Sequence, residues 1–104
     1  MKAQVAVIED NPDNRLLVRV LLEEYYEISE YETGVEAVEG LLADPPDLVL
    51  LDISLPEMSG TDVLNWIRDQ DVLKTRPVVA LTAHAMAGDR EKYLAEGFDD
   101  YLTK

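Results

Sequence analysis

Five strand-like runs alternate with amphipathic segments along the chain. Apolar runs of four to six residues, bounded by polar residues, are typical of strands in a parallel sheet that is covered on both faces. Such runs place strands at about residues 4–8, 48–51 and 78–81. Further strands are placed at 27–31, a weak pattern whose alternation with charge suggests an edge strand, and at 98–103. Because a helical segment separates each strand from the next, the pattern predicts an α/β fold with a doubly wound, five-stranded parallel sheet.

The first three helices are predicted from their start signals and from the spacing of their apolar residues. Asn11 followed by Pro12 is a favoured helix start, a possible capping box begins at Thr33, and Ser59 opens the third helix. The residues that we expect on the buried faces are Leu16, Leu17, Val20, Leu21, Val35, Val38, Leu41, Leu42, Val63, Leu64 and Ile67.

The fourth helix has the weakest pattern. It is predicted from about Ala85 or Met86 to Glu96, with Gly97 well suited to a left-handed cap at its end. Few large aliphatic residues lie within it, so we expect this helix to pack comparatively weakly on the sheet.

The composition indicates one acidic domain. A chain of 104 residues suffices for one domain with its own core, and without cysteine it contains no disulfide. Nine Lys and Arg against 22 Asp and Glu give a formal net charge of -13, so direct binding of nucleic acid is not expected. The sequence has no secretory leader and no long apolar span, and we expect a cytoplasmic protein without a membrane anchor.

Polar side chains follow the strands at four points. Glu9 and Asp10 come after the first strand, Asp52 after the third, Thr82 after the fourth and Lys104 after the fifth. In an open parallel sheet, ligands bind outside the carboxyl ends of the strands, so we expect these residues to converge. Three carboxylates brought together repel one another unless a cation compensates. The pattern therefore predicts a site that combines a divalent metal with one lysine.

In their order and spacing, these residues resemble the receiver domain of two-component response regulators. The resemblance continues through further segments of the chain: Leu55-Pro56-Glu57-Met58-Ser59-Gly60, Thr82-Ala83, Gly97-Phe98 and Tyr101. It spans the whole chain, extends to the chemotaxis response regulator, and is strongest to hybrid-kinase and single-domain receivers that begin with Glu-Asp-Asn. It implies a flavodoxin-like strand order, 2-1-3-4-5.

The resemblance implies that Asp52 is a phosphoacceptor. Its carboxylate would accept a phosphoryl group from a histidine kinase or a histidine phosphotransfer protein, as carboxylates can act as nucleophiles. A Mg²⁺ ion, or Mn²⁺ in its place, would be held by Glu9, Asp10, Asp52 and the backbone carbonyl of Ser54. Such a domain is a switch, not an enzyme, and assists only its own phosphorylation and dephosphorylation.

The remaining site residues would handle charge and signalling, again as the resemblance implies. Lys104 would pair with the phosphoryl group, and Thr82 and the amide of Ala83 would donate hydrogen bonds to it. Tyr101 would turn inward once Thr82 moves, which shifts the surface of helix four and strand five toward an unknown downstream protein. Tyr101 could equally be an aromatic residue packed on helix four.

Two features of partner binding follow from the same resemblance. Specificity for a kinase is expected on helix one, around Arg15, Val18, Arg19 and Leu22, and on the last loop. Receivers normally continue past the lysine with a fifth helix beside helix one, whereas this sequence stops at Lys104. We therefore expect residues 1–104 to form a receiver truncated after strand five, with apolar surface exposed on helix one and one flank of the sheet. A dimer or an exchanged element could cover that surface.

Two other classes of function remain open. A receiver-like interaction module, or an engineered receiver fragment, would work through protein contacts without phosphorylation. A small Mg²⁺-dependent phosphatase of the haloacid dehalogenase type also uses an aspartate at a strand end. Its Asp-x-Asp pattern, however, would need an acid where Ser54 stands.

Overall fold

Strands and helices alternate throughout the computed structural model, which describes residues 2–53, 55, 58–82 and 88–103. The strands are β1 (Ala3–Ile8), β2 (Tyr26–Tyr31), β3 (Leu48–Asp52), β4 (Val78–Thr82) and β5 (Asp100–Thr103). The helices are α1 (Pro12–Leu22), α2 (Gly34–Ala43), α3 (Gly60–Arg68) and α4 (Asp89–Glu96). All neighbouring strands are parallel, and their order is β2-β1-β3-β4-β5. The predicted fold and strand order are confirmed.

The central strand, β3, is apolar until its last residue. Val49, Leu50 and Leu51 are almost fully buried because helices cover both faces of the sheet at this point. Asp52 ends the strand and is only 2% exposed. A carboxylate is therefore held at the carboxyl edge of the sheet by the strand that is most firmly embedded in it.

Side-chain caps begin the first three helices, as predicted. The Asn11 side chain accepts from the backbone N–H groups of residues 13 and 14, with Pro12 at the first helical position. Ser59 and Asp62 form a reciprocal capping box at α3. At α2 only half of the predicted box forms, because the Glu36 carboxylate accepts from the N–H of Glu32 and not from the cap residue.

The two faces of the sheet are packed unequally. One face carries α2, α3 and α4, and its buried cluster includes Leu41, Leu51, Leu64 and Ile67. The other face has a smaller buried cluster, made of Val5, Val7, Leu50 and Leu81, with Val18 and Leu22 of α1 packed against it. The domain is thus anchored mainly from one side.

The predicted buried face of α1 is wrong. The side chains of Leu16, Leu17, Val20 and Leu21 are 55–62% exposed, and α1 contains no buried residue. Contact with the sheet is made instead by Val18 and Leu22. The apolar face of α1 is therefore wider than the part of it that packs on the sheet. An apolar groove with a cavity volume of about 190 Å³ runs between α1 and β5. The expected exposed apolar surface is therefore present.

Three smaller predictions also need correction. Val35 and Leu42 of α2 were expected to be buried but are 45% and 47% exposed, since Ala37 and Leu41 supply the buried contact. Strand β5 begins at Asp100, two residues later than predicted. Phe98 instead fills the core beside α4.

Helix α4 is short and buries one residue, Tyr93, which agrees with the weak packing that we expected. Gly97 ends it with a φ of 116°, in the left-handed region that glycine favours. The predicted start at 85 or 86 lies outside the described residues. Within the described part of the chain, every helix is too short or too polar to cross a membrane.

Adjacent leucines on α2 test this burial pattern. Leu41→Ala should lower the free energy of unfolding by about 2–5 kcal/mol, because it opens a cavity in the core. Leu42→Ala should cost under about 1 kcal/mol, because half of that side chain already contacts water. Urea denaturation of both variants measures the difference, and equal losses would contradict the assigned face.

Candidate functional site

Three carboxylates meet at the carboxyl ends of β1 and β3. These strands are adjacent and parallel, with Ile8 paired to Leu51, so the next residue of each emerges at the same level. One carboxylate oxygen from each of Glu9, Asp10 and Asp52 lies within 4.8 Å of the other two. The sequence predicted this convergence from separate strand ends, and the structure brings the three residues together.

The acidic cluster is mostly buried. Glu9 is fully buried and Asp52 is 2% exposed, whereas Asp10 lies at the opening to solvent. Burying a carboxylate is costly unless hydrogen bonds or positive charge compensate for the lost water. The site therefore combines oxygen ligands with an electrostatic preference for a cation, and one side of it is accessible.

Helix α1 and strand β2 hold the Glu9–Asp10 turn. The N–H of Glu9 donates to the carbonyl of Tyr31 at 3.0 Å, which extends the β1–β2 pairing by one residue. Asn14 Nδ2 donates to Glu9 Oε1 at 2.9 Å. Arg15 Nη1 donates to the carbonyl oxygens of Glu9 at 2.9 Å and Asp10 at 3.3 Å. Both the side chain and the backbone of the turn are thus bound.

Tyr31 also connects this turn to α2. Its ring occupies the space beside Gly40, where a Cβ would collide with Cε1 of the ring. Burial raises the pKa of Tyr31 above its usual value, and the Asp44 carboxylate raises it further. The phenol therefore stays protonated and neutral over the ordinary pH range.

The turn after Asp52 is packed directly on the start of α3. Gly60 donates its N–H to the carbonyl of Ile53 at 3.1 Å. A Cβ at position 60 would lie 2.6 Å from the carbonyl oxygen of Asp52 and 2.7 Å from the Cα of Ile53. Both are backbone atoms, which cannot rotate away as a side chain can. Only glycine lets the helix approach Asp52 this closely.

Thr82 and Tyr101 lie on the two strands beyond β3. Leu81 is paired with Asp52, so Thr82 is one residue further toward the carboxyl edge, where it is 8% exposed and paired with Thr103. The ring of Tyr101 is half-buried, with its centroid 5.8 Å from that of Tyr93 on α4. Tyr101 is therefore packed on α4, as one of the two interpretations expected.

Other predicted site residues lie outside the described residues: Ser54, Ala83 and Lys104. Sequence reasoning in turn missed the contribution of Asn14 and the position of Arg15. Arg15 was expected on a partner-binding surface, but its side chain is only 15% exposed and is directed at the acidic turn. The available signal was the presence of two side chains with N–H donors, an amide and a guanidinium, in the first helical turn after an acidic strand end.

Comparison with known families decides what kind of domain this is. The model of the response regulator receiver domain matches residues 5–104. The chain belongs to the receiver-domain family. A similar relative is the polar-differentiation response regulator DivK of Brucella anthropi, 42% identical over 105 residues, which cover 100% of this chain and 85% of that protein. The family resemblance read from the sequence is confirmed.

Solved structures of receiver domains share the fold. The receiver domain of a sensor histidine kinase from Pseudomonas aeruginosa has a TM-score of 0.88 at 33% identity, covering 100% of this chain and 86% of that one. Its active-site cleft coordinates a magnesium ion. The manganese-bound form of the response regulator Rcp1 has a TM-score of 0.83 at 28% identity, covering 98% of this receiver and 81% of that chain.

The contact between α3 and the Asp52 turn can be tested with Gly60→Ala. The added methyl group must displace backbone, so we expect a loss of about 1–3 kcal/mol in the free energy of unfolding. Asn65→Ala, at an exposed position of the same helix, should stay within about 0.5 kcal/mol of the wild type. Chemical denaturation measures both variants. An unchanged free energy of unfolding in Gly60→Ala would show that the backbone of the turn moves aside at little cost.

Proposed function

We propose that this receiver domain is a phosphoacceptor switch in which Asp52 takes a phosphoryl group from a histidine kinase or a histidine phosphotransfer protein. The proposal rests mainly on one observation, the buried carboxylate of Asp52 at the end of the central strand, clustered with two further carboxylates. Membership of the receiver family, which belongs to two-component signalling, supports the assignment of this role.

The proposed reaction is a single phosphoryl transfer. An oxygen of the Asp52 carboxylate attacks phosphorus as the bond from phosphorus to the imidazole nitrogen of the donor breaks, which leaves an acyl phosphate and a free imidazole. Such transfers depend on in-line positioning and charge neutralisation more than on covalent chemistry by the protein. Burial of Asp52 in a rigid strand end supplies the positioning.

The acidic cluster fits a magnesium ion, with Mn²⁺ as a substitute. All three side chains offer carboxylate oxygens, the ligands that both ions prefer. We propose that Glu9, Asp10, Asp52 and the carbonyl of Ser54 form the site. When bound, the metal would neutralise negative charge on the transferring group. The magnesium-containing relative from Pseudomonas aeruginosa supports this proposal.

Three further residues are proposed to contact the phosphoryl group once it is bound to Asp52. Lys104 would offer a compact positive charge, and Thr82 and the amide of Ala83 would donate hydrogen bonds to phosphoryl oxygens. Thr82 is buried at the end of the strand next to Asp52, which suits this role. The other two assignments rest on the family pattern in the sequence.

The proposed switch acts through the surface of α4 and β5. The acyl phosphate on Asp52 would carry about -1.5 to -2 charges in place of the single negative charge of the carboxylate, and a contact with Thr82 that exists only in the phosphorylated state would favour a second conformation. Tyr101 lies on β5, the strand paired with the strand of Thr82, and its ring contacts Tyr93 of α4. Because α4 buries only that one residue, few contacts oppose its rearrangement. A downstream protein would recognise the new surface.

The phosphoacceptor assignment is tested with Asp52→Asn. The amide cannot act as the nucleophile, so incorporation of phosphate from acetyl phosphate with Mg²⁺ should fall to background. Intact-protein mass spectrometry measures the incorporation. Asp71→Asn is the matched control, because it removes one carboxylate that is exposed and paired with Lys74. Equal labelling of wild type and Asp52→Asn would refute the assignment, and no labelling of wild type would favour an interaction module.

Thr82→Ala separates phosphorylation from the response to it. Labelling should be largely retained, whereas the conformational change should lose one charge-assisted hydrogen bond, worth about 1.5–3 kcal/mol. Hydrogen exchange of the α4 and β5 amides with and without beryllofluoride measures the response. Thr75→Ala, which alters an exposed threonine, should respond like the wild type. A full response in Thr82→Ala would exclude this residue as the coupling contact.

A further inference from the structure

The first turn of α1 reaches back to the acidic turn through two consecutive side chains. We propose that Asn14 and Arg15 are positioning residues for the divalent cation, which hold the Glu9–Asp10 turn in the geometry that binds it. This inference rests on the proposed metal site and extends it to residues that would not touch the metal.

Asn14 acts on the buried carboxylate. Its Nδ2 donates to Oε1 of Glu9 at 2.9 Å, and Glu9 is fully buried. A hydrogen bond to one carboxylate oxygen selects the orientation of the whole group, and with it the direction in which the second oxygen points. An amide does this without adding a positive charge that would repel the metal. Asn14 therefore orients Glu9 at little electrostatic cost.

Arg15 acts on the backbone of the turn. Nη1 donates to the carbonyl oxygens of Glu9 and Asp10, while Nη2 contacts Oε1 of Glu32 at 3.2 Å. The planar guanidinium thereby joins α1, the acidic turn and the segment after β2 in one rigid fork. A lysine has one nitrogen and cannot span these partners in the same way.

Apolar packing of α1 on the sheet is too sparse to hold the Glu9–Asp10 turn in place. The helix contains no buried residue, and its leucines at 16, 17 and 21 are more than half exposed. Its start is instead fixed by the Asn11 side chain, which accepts from the N–H groups of residues 13 and 14. Polar contacts at the first turn are therefore what set the distance between helix and acidic turn.

Electrostatics and positioning predict opposite effects for Arg15. A nearby positive charge disfavours a bound cation, so if only charge mattered, removing Arg15 would tighten metal binding. If Arg15 holds the turn, its removal weakens binding despite the loss of positive charge. The sign of the change therefore distinguishes the two mechanisms.

The test is the affinity for Mg²⁺ alone, measured by isothermal titration calorimetry at constant ionic strength. We expect about tenfold or greater weakening for Asn14→Leu, Arg15→Met and Arg15→Lys, the range typical for residues that orient metal ligands. Arg15→Lys is decisive because it keeps the positive charge and removes the guanidinium that contacts the acidic turn and Glu32 at the same time. Thermal melting monitored by circular dichroism verifies that each variant is folded.

Arg19→Met is the matched control. It removes one positive charge from the next turn of the same helix, where Arg19 pairs with Glu23 and Glu30 and not with the acidic turn. Its affinity for Mg²⁺ should be unchanged or slightly tighter. Should Arg15→Met fail to fold, Arg15→Lys tests the same contacts with a smaller change and should bind Mg²⁺ more weakly than wild type.

Two results would overturn different statements. Wild-type or tighter binding in folded Arg15→Lys and Asn14→Leu would refute the positioning role while leaving the metal site intact. Asp10→Asn tests the site itself and should lose most of the affinity. If Asp10→Asn binds Mg²⁺ as the wild type does, the proposed metal site is wrong, and the positioning inference fails with it.

Discussion

Mutual repulsion among the carboxylates of Glu9, Asp10 and Asp52 is the constraint that the structure around the site must offset. Parallel pairing of β1 with β3 forces the three carboxylates together at one edge, and two of them are buried there. Such an arrangement persists only if the surrounding structure holds it and if positive charge can be recruited to it. The contacts of both turns, and the proposed chemistry, follow from that requirement.

The two acidic turns are held by different kinds of interaction. The Asp52 turn lies at the end of a fully apolar strand and against Gly60 of α3, on the densely packed face of the sheet. The Glu9–Asp10 turn faces α1, which is only lightly packed, and is held by hydrogen bonds from Asn14 and Arg15. Apolar packing thus fixes Asp52, the proposed phosphoacceptor, and polar contacts fix Glu9 and Asp10, the two other carboxylates of the proposed metal site.

Uneven packing also has a consequence for signalling. Buried contacts are dense around α2 and α3, whereas α4 is attached through Tyr93 and its contacts with Phe98 and Tyr101. Segments with few buried contacts are those that rearrange at low cost. A charge change at Asp52 would therefore be transmitted more readily toward β5 and α4 than into the rigid centre of the sheet.

The start of β5 was predicted two residues too early. The positions of β1, β3 and β4 were predictable from the chain alone, because each is a short apolar run that stops at a polar residue. This was enough to predict the sheet and the meeting of Glu9, Asp10 and Asp52. The contact face of α1 and the direction of Arg15 were not predictable. The apolar residues of a helix show how much of its surface could be buried, and an arginine shows which groups could bind to it. The packing of the neighbouring elements decides which helix face is buried and which groups the arginine contacts. Val18 and Leu22 pack because β1 and β3 lie beneath them, and Arg15 turns inward because two carbonyl oxygens and Glu32 surround it.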